Sequence, residues 1–342
     1  MTNAGKTLEI RTSPHILSGY SVDTIMFNVV LALLPVVAFS VFAFGLPALL
    51  TITVAVVSCV LTEDLLCRLR GEPTTVGDWS VTITGFLYGL TLPPALPLWM
   101  VAMGGVICVA MGKAMFGGLG FNTFNPALIG RAVLQAAFPV SMTTWIPGFM
   151  PDRFTSLPAS TLTFPFAQPA VDAVTSATPL ALWKFSHEST PTLDLALGTI
   201  TGSAGETSGL LIVVGGLYLI ARNMMNWRIP TAIIGAVVLL SGALHMVDPT
   251  QYASPGFMVF SGGLLLGAMF MATDPVGSPM TSLGCYLYGA LIGAVTVVIR
   301  TWGGLPEGVM YAILLGNALT PHIDQWTRPT VYGSRKGKEV AT

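Results

Sequence analysis

The chain has 342 residues, 53% hydrophobic and only 9% charged, with a mean hydropathy of +0.73. Soluble domains carry about 25% charged residues, so most of this surface faces something other than water. A net charge of -1 gives no electrostatic footprint for nucleic acid. Four single cysteines (Cys59, Cys67, Cys108, Cys285) lack the spacing of a zinc or iron–sulfur site built by one chain.

Residues 1–22 are polar and include Lys6 and Arg11; the apolar run behind them is too long for a signal peptide core. Ten apolar segments then approach the roughly 20 residues that cross a bilayer: 23–43, 46–66, 79–96, 97–115, 125–143, 207–222, 229–247, 256–273, 281–300 and 307–320. Pro93 and Pro94 mark the turn from the third to the fourth. Arg68, Arg70, Lys113, Arg222, Arg228, Arg328, Arg335, Lys336 and Lys338 fall on one side if both termini are cytoplasmic, as the bias of basic residues predicts. Arg153, Lys184 and Arg300 are exceptions.

The predicted fold is an all-α polytopic membrane protein of about ten transmembrane helices. Two five-helix halves, 23–143 and 207–320, flank an extracytoplasmic loop of residues 144–206, with a cytoplasmic tail from 321 to 342. An odd number of spans per half predicts inverted repeats with sites between broken helices. Gly85-x-x-x-Gly89 has a counterpart in Gly263-x-x-x-Gly267; either pair also reads as a close helix contact.

The loop is long for a connection between packed helices, and such loops tend to carry function. Trp145, Phe149, Phe154, Phe164, Phe166 and Trp183 let it fold back on the membrane face, and six prolines keep it out of regular helix. Thr178 precedes Pro179, which predicts extended backbone and an outward side chain. Two readings stand: Ser176 or Thr178 caps a helix starting at Pro179, or Thr178 offers a hydroxyl for covalent attachment.

Three blocks carry a family resemblance. Asp172–Thr178 reads DAVTSAT and fits D-x-x-[ST]-[GS]-A-T, where a flavin transferase joins FMN phosphate to the last threonine. Phe116–Arg131 reads FGGLGFNTFNPALIGR, and Met271–Pro279 reads MATDPVGSP. Together they resemble the family that holds the D subunit of the Rnf complex and the B subunit of the sodium-pumping NADH:quinone reductase. Ser13-Pro14-His15 and the absence of a long N-terminal extension favour the Rnf branch. Ser176 and Ala173 stand where glycine is frequent in the family.

The resemblance implies FMN esterified to Thr178, with Asp172 serving the modifying enzyme and Thr175 and Ser176 shaping its recognition segment. It implies that Asn122 and Asn125 hold a second, non-covalent flavin, riboflavin in the relative. Amides suit the imide edge of a flavin, and Asn125-Pro126 reads as a helix start whose N–H groups favour anionic charge. Asp274 either lines the same site or caps its own turn. Arg131 either snorkels to the cytoplasmic rim or neutralises charge near the second flavin. Cys and His residues receive no role.

The implied function is electron relay within a bacterial inner-membrane complex coupling ferredoxin/NAD electron transfer to Na⁺ or H⁺ movement. Implied partners are other membrane and peripheral subunits (a second flavinylated one and iron–sulfur subunits among them), the flavin transferase and the lipid bilayer. The chain has no nicotinamide fingerprint of its own, so it is not catalytically complete alone. The alternative is a solute transporter or channel of similar inverted-repeat fold.

Overall fold

A computed structural model describes residues 21–165, 167, 176–198, 200–206 and 208–329, and every regular element among them is helical. Helices α1 (Val22–Phe44) and α2 (Leu46–Arg70) form an antiparallel hairpin. Ser21 caps α1, its hydroxyl accepting from Thr24 N at 3.2 Å. The hairpin turns at Gly45, whose φ of +74° suits glycine and whose missing Cβ leaves room for the Arg153 carbonyl. Next come α3 (Ser80–Leu90), α4 (Leu98–Gly112), α5 (Pro126–Ala137) and α6 (Pro139–Met142). The connecting loop holds α7 (Pro179–Ser186) and α8 (Thr192–Leu197). Pro179 starts a helix rather than preventing one, occupying the first turn, where an N–H is not needed, while Pro147, Pro151, Pro158 and Pro165 lie in non-helical segments. The remainder is α9 (Gly209–Ala221), α10 (Arg228–Val247), α11 (Pro255–Phe260), α12 (Leu264–Leu266), α13 (Ser282–Trp302) and α14 (Val309–Trp326). A π-helical turn, Gly267–Met271, continues α12.

Five helical stretches among the described residues are long and apolar enough to cross a membrane: α1, α2, Leu98–Phe116, α10 and α13. Their outer faces display leucines such as Leu61 (63% exposed) and Leu239 (74%). Apolar exposure on that scale requires a covering phase, and the all-helical build is that of a polytopic membrane protein.

Four of the other five expected spans are short or interrupted, while 307–320 is covered by the continuous 18-residue α14. Segment 79–96 is helical only over Ser80–Leu90, because Pro93 and Pro94 cannot continue the ladder. Segment 125–143 breaks at Phe138 before Pro139, and α9 has only 13 residues. Segment 256–273 breaks at Ser261–Gly263, where Gly262 takes φ +65°. Such a break is tolerated at membrane depth only if protein satisfies its backbone. Here Arg300 does so, donating to Met258 O at 2.5 Å and Ser261 O at 2.9 Å.

Contacts divide the bundle into two ends. At one, Lys113 meets Glu63 and Ser80, and Arg222 meets Asn28. At the other, Leu46 N donates to Arg153 O, Leu98 N to Thr161 O and Gly205 N to Leu90 O.

Close helix packing explains one of the two glycine pairs. A Cβ on Gly85 would stand 2.6 Å from Val56 Cα, and one on Gly89 3.1 Å from Ile52 Cα, so α3 presses on α2 backbone to backbone. Gly263 and Gly267 do not repeat this: the first faces the Glu206 carboxylate and the second the Val309 side chain. The comparable contact in the second half is α13 on α10, where Gly289 and Gly293 sit against the carbonyls of Ile229 and Ile233. Gly85→Leu is expected to destabilise the detergent-solubilised protein by about 1–3 kcal/mol or more through overpacking. Gly235→Ala, at an α10 position with nothing within 4 Å, should leave the melting midpoint unchanged. Equal midpoints for parent and Gly85→Leu would remove the close α2–α3 contact.

Candidate functional site

A cavity of about 120 Å³, open on one side, lies between α1, α3, α5, α9 and the π turn. Its walls are apolar, with Ile83, Leu87, Met269 and Phe270 among them, and its polar groups are few: Ser80, Lys113, Asn122, Asn125 and Asp274 among them. That is the composition of a site for a largely apolar ligand with a polar edge.

The loop before α5 sets the asparagines. Gly117, Gly118 and Gly120 take φ of +107°, +100° and +90°, and a Cβ on Gly118 or Gly120 would meet nothing within 4 Å. Their requirement is conformational, not one of close approach to a neighbouring helix. Asn125 caps α5, accepting from Ala127 N at 3.0 Å, while its Nδ2 donates to Met271 O at 3.3 Å. Asn122 Nδ2 donates to Phe124 O at 3.3 Å and to Asp274 Oδ2 at 3.4 Å. The Asp274 Oδ1 accepts from Val276 N at 3.2 Å. One Asp274 oxygen thus caps its turn and the other faces Asn122. Burial pushes the Asp274 carboxyl above the usual range, against the lowering effect of the Val276 N–H and the Asn122 amide.

From sequence, Lys113 is only a marker of sidedness. In the structure it is 4% exposed, and its ammonium donates to Glu63 Oε1 at 2.7 Å and Ser80 Oγ at 2.9 Å. Thr75 also donates to Glu63. A sequence signal exists: Glu63 sits inside an otherwise apolar run, and acids there are functional or paired by default.

Thr178 lies at the opposite end. Its Oγ1 accepts from Ala181 N at 3.3 Å as the N-cap of α7, and the residue is 4% exposed. The expected outward side chain is therefore not observed. Capping turns the hydroxyl toward the helix, and α7 packs inward through Leu180 against Gly262. Ser176 is tied down on both sides, its N–H donating to Trp145 O at 3.0 Å and its hydroxyl bonded to that of Thr201 at 2.9 Å. Lys184 anchors the helix: its ammonium donates to Arg300 O at 3.1 Å and Leu305 O at 2.9 Å, and also to Gly303 O, completing the C-terminus of α13. Asp172 and Thr175 fall outside the described residues.

Arg131 takes neither expected role. It is buried and pairs with Glu307 Oε2 at 2.5 Å, away from the cavity walls. The four cysteines are free and buried, and no group of three or more His, Cys, Asp or Glu suited to a metal occurs among the described residues.

Residues 9–333 match the NQR2, RnfD, RnfE family. The chain belongs to this family. It is 43% identical over 337 residues to the D subunit of the proton-translocating ferredoxin:NAD(+) oxidoreductase complex of Clostridium ljungdahlii, covering 96% of both chains. It is 41% identical over 338 residues to the D subunit of the Na(+)-translocating ferredoxin:NAD(+) oxidoreductase complex of Acetobacterium woodii, covering 98% of both. The D subunit of an ion-translocating oxidoreductase complex of Halorhodospira halophila is 37% identical over 359 residues, 98% of both chains. The resemblance carried by the three motif blocks thus extends along nearly the whole chain.

Removing the charge of Lys113 tests the buried pair. Lys113→Met leaves Glu63 uncompensated and should cost about 3–5 kcal/mol, whereas Lys113→Met with Glu63→Leu should recover most of it. Thermal unfolding of the solubilised protein reads both, and a single variant as stable as the parent would show the pair to be dispensable.

Proposed function

We propose that the chain is the D subunit of an Rnf-type complex, an ion-translocating ferredoxin:NAD oxidoreductase, and relays electrons across the membrane through two flavins. One is FMN esterified to Thr178; the other, riboflavin or a similar non-covalent flavin, occupies the cavity at Asn122, Asn125 and Asp274. The observation that carries the reading is the convergence of those three residues, from blocks about 150 positions apart, on one apolar-walled cavity. The near-full-length similarity to D-subunit relatives supports the complex and its coupled ion movement.

The residues fit the groups. A flavin supplies one- and two-electron redox chemistry; the protein supplies position, charge and dryness. Asn122 and Asn125 present amides to an imide edge. Lys113 and the N-terminus of α5 favour negative charge in the cavity, while Ile83, Leu87 and Phe270 exclude water. At the other end, the Thr178 oxygen sits at the N-terminus of the eight-residue α7, where free N–H groups and the helix dipole suit a phosphodiester anion. Capping and attachment use the same oxygen and are compatible.

The two sites lie toward opposite ends of α5. From Asn125 to Arg131 the axis rises about 9 Å, and the partner of Arg131, Glu307, lies beside Gly262, on which Leu180 of α7 rests. Basic residues gather at the cavity end (Arg68, Arg70, Lys113, Arg222, Arg228), which supports a cytoplasmic cavity and an extracytoplasmic Thr178. Reciprocal contacts support two inverted halves: Arg131 inside α5 reaches Glu307 before α14, and the Asn317 amide inside α14, once turned over, accepts from Asn125 N at 3.1 Å before α5. The remaining subunits, including iron–sulfur and flavinylated ones, would supply the ferredoxin and NAD sites that this chain lacks.

Denaturing gels of protein made with the flavin transferase should show a fluorescent band near the 36.0 kDa chain. Thr178→Val should abolish it and Thr175→Val should not; mass spectrometry of the loop peptide should find FMN minus water. A solute transporter would give no band. Asn122→Ala and Asn125→Ala should lower acid-extractable flavin severalfold while leaving the covalent band intact.

Because the Thr178 oxygen is buried when α7 is docked, its esterification requires α7 to be undocked. Lys184→Met, which frees α7 from α13, should raise the initial rate of flavin transfer to the unmodified protein in vitro. An unchanged rate would show that docking does not limit access.

A further inference from the structure

The break between α11 and α12 borders a cluster of four charged side chains. Arg131 comes from α5, Glu206 from the segment leading into α9, Arg300 from the end of α13 and Glu307 from the turn into α14. Glu206 is 5% exposed, Arg131 6% and Arg300 5%. Glu307 Cγ and Glu206 Oε1 lie 3.9 and 3.7 Å from where Cβ atoms would stand on the adjacent Gly262 and Gly263, which brings the two carboxyls together at the break, within hydrogen-bond reach of each other. Glu307 also holds Arg131 at 2.5 Å, and Ser203 donates to Glu206. Both η nitrogens of Arg300 go to the carbonyls of the break.

The cluster is incompletely satisfied. Glu206 Oε1, Arg131 Nε, Arg300 Nε and Ser261 Oγ are buried without a hydrogen-bond partner. Two carboxyls in mutual hydrogen-bond contact must share a proton, since neither anion can donate and like charges at this range disfavour double ionisation. Arginine stays charged, so the proton belongs to the acid pair. Glu307 faces Arg131 directly and takes the charge; Glu206 faces Ser203 and takes the proton.

We infer that Glu206 and Glu307 form a proton-binding site inside the bundle, holding one exchangeable proton between them. The groups that face it are Arg131 from α5, Ser203 from the α9 lead, the backbone carbonyls of the α11–α12 break and Arg300 from α13. Lys184 of α7 touches the Arg300 carbonyl from outside the cluster. The site does not depend on the flavin assignment. If that assignment also holds, protonation here lies beside the helix that carries the Thr178 attachment.

Infrared difference spectra of the purified complex between acid and alkaline pH test this. The parent should show a protonated-carboxyl C=O band that shifts in D₂O and disappears as a single proton is released. Glu206→Gln should lose that band. Glu307→Gln should lose it as well, because Glu206 then ionises against Arg131. Glu206→Gln, which keeps the neutral hydrogen-bonding shape, should assemble and melt like the parent near neutral pH. Parent and Glu206→Gln spectra that coincide at every pH would overturn the site. So would a Glu206→Gln protein that fails to fold or melts well below the parent, since Glu206 would then be required as an anion. No arm reads flavin, so the same spectra are expected from Thr178→Val protein.

Discussion

Helices that end inside a lipid-covered bundle leave backbone groups that water cannot reach, and most of the polar chemistry of this chain answers that demand. An unsatisfied N–H or C=O in such a place costs several kcal/mol. Arg300 meets it at the α11–α12 break, binding the carbonyls of Met258 and Ser261. Lys184 meets it at the end of α13, and Asn125 meets it at the start of α5. Each solution brings a charge or an amide to depth, and each such group then needs its own partner.

That need builds the two ends of the molecule. Near the cavity, Lys113 is held by Glu63 and Ser80, and Asn122 and Asn125 are held by Asp274 and Met271. Near Thr178, Arg131 and Arg300 bring Glu307 and Glu206 with them. Helix α5 joins the two: its cap lies in one and its sixth residue in the other. The proposed relay requires two sites with a rigid separation, and a short helix pinned by polar contacts at its start and middle would supply one.

The long spans were legible because twenty apolar residues in a row have few alternatives. The breaks within the shorter ones were not, because hydropathy reports burial, not helix. Segments 79–96 and 256–273 are apolar from end to end yet are stopped by Pro93-Pro94 and by Ser261–Gly263. The cavity residues Asn122, Asn125 and Asp274 were legible through motif blocks. Glu206 and Glu307 were not, since each stands alone at the edge of an apolar run and their proximity is created by folding across 101 positions. Arg131 was visible as an intramembrane cation but not its partner, for the same reason.

Thr178 shows why one oxygen could be read two ways without contradiction. A threonine before proline is a good N-cap because its backbone is extended and its hydroxyl can turn back to the third residue of the helix. The same geometry places any group esterified to that oxygen at the positive end of α7. An anionic ester there gains from the dipole that the hydroxyl only partly satisfies. Docking of α7 through Leu180 and Lys184 holds the Thr178 cap against the Gly262 break and the neighbouring charge cluster. The cap is thus the local structure that gives an attached phosphate a fixed address on the bundle.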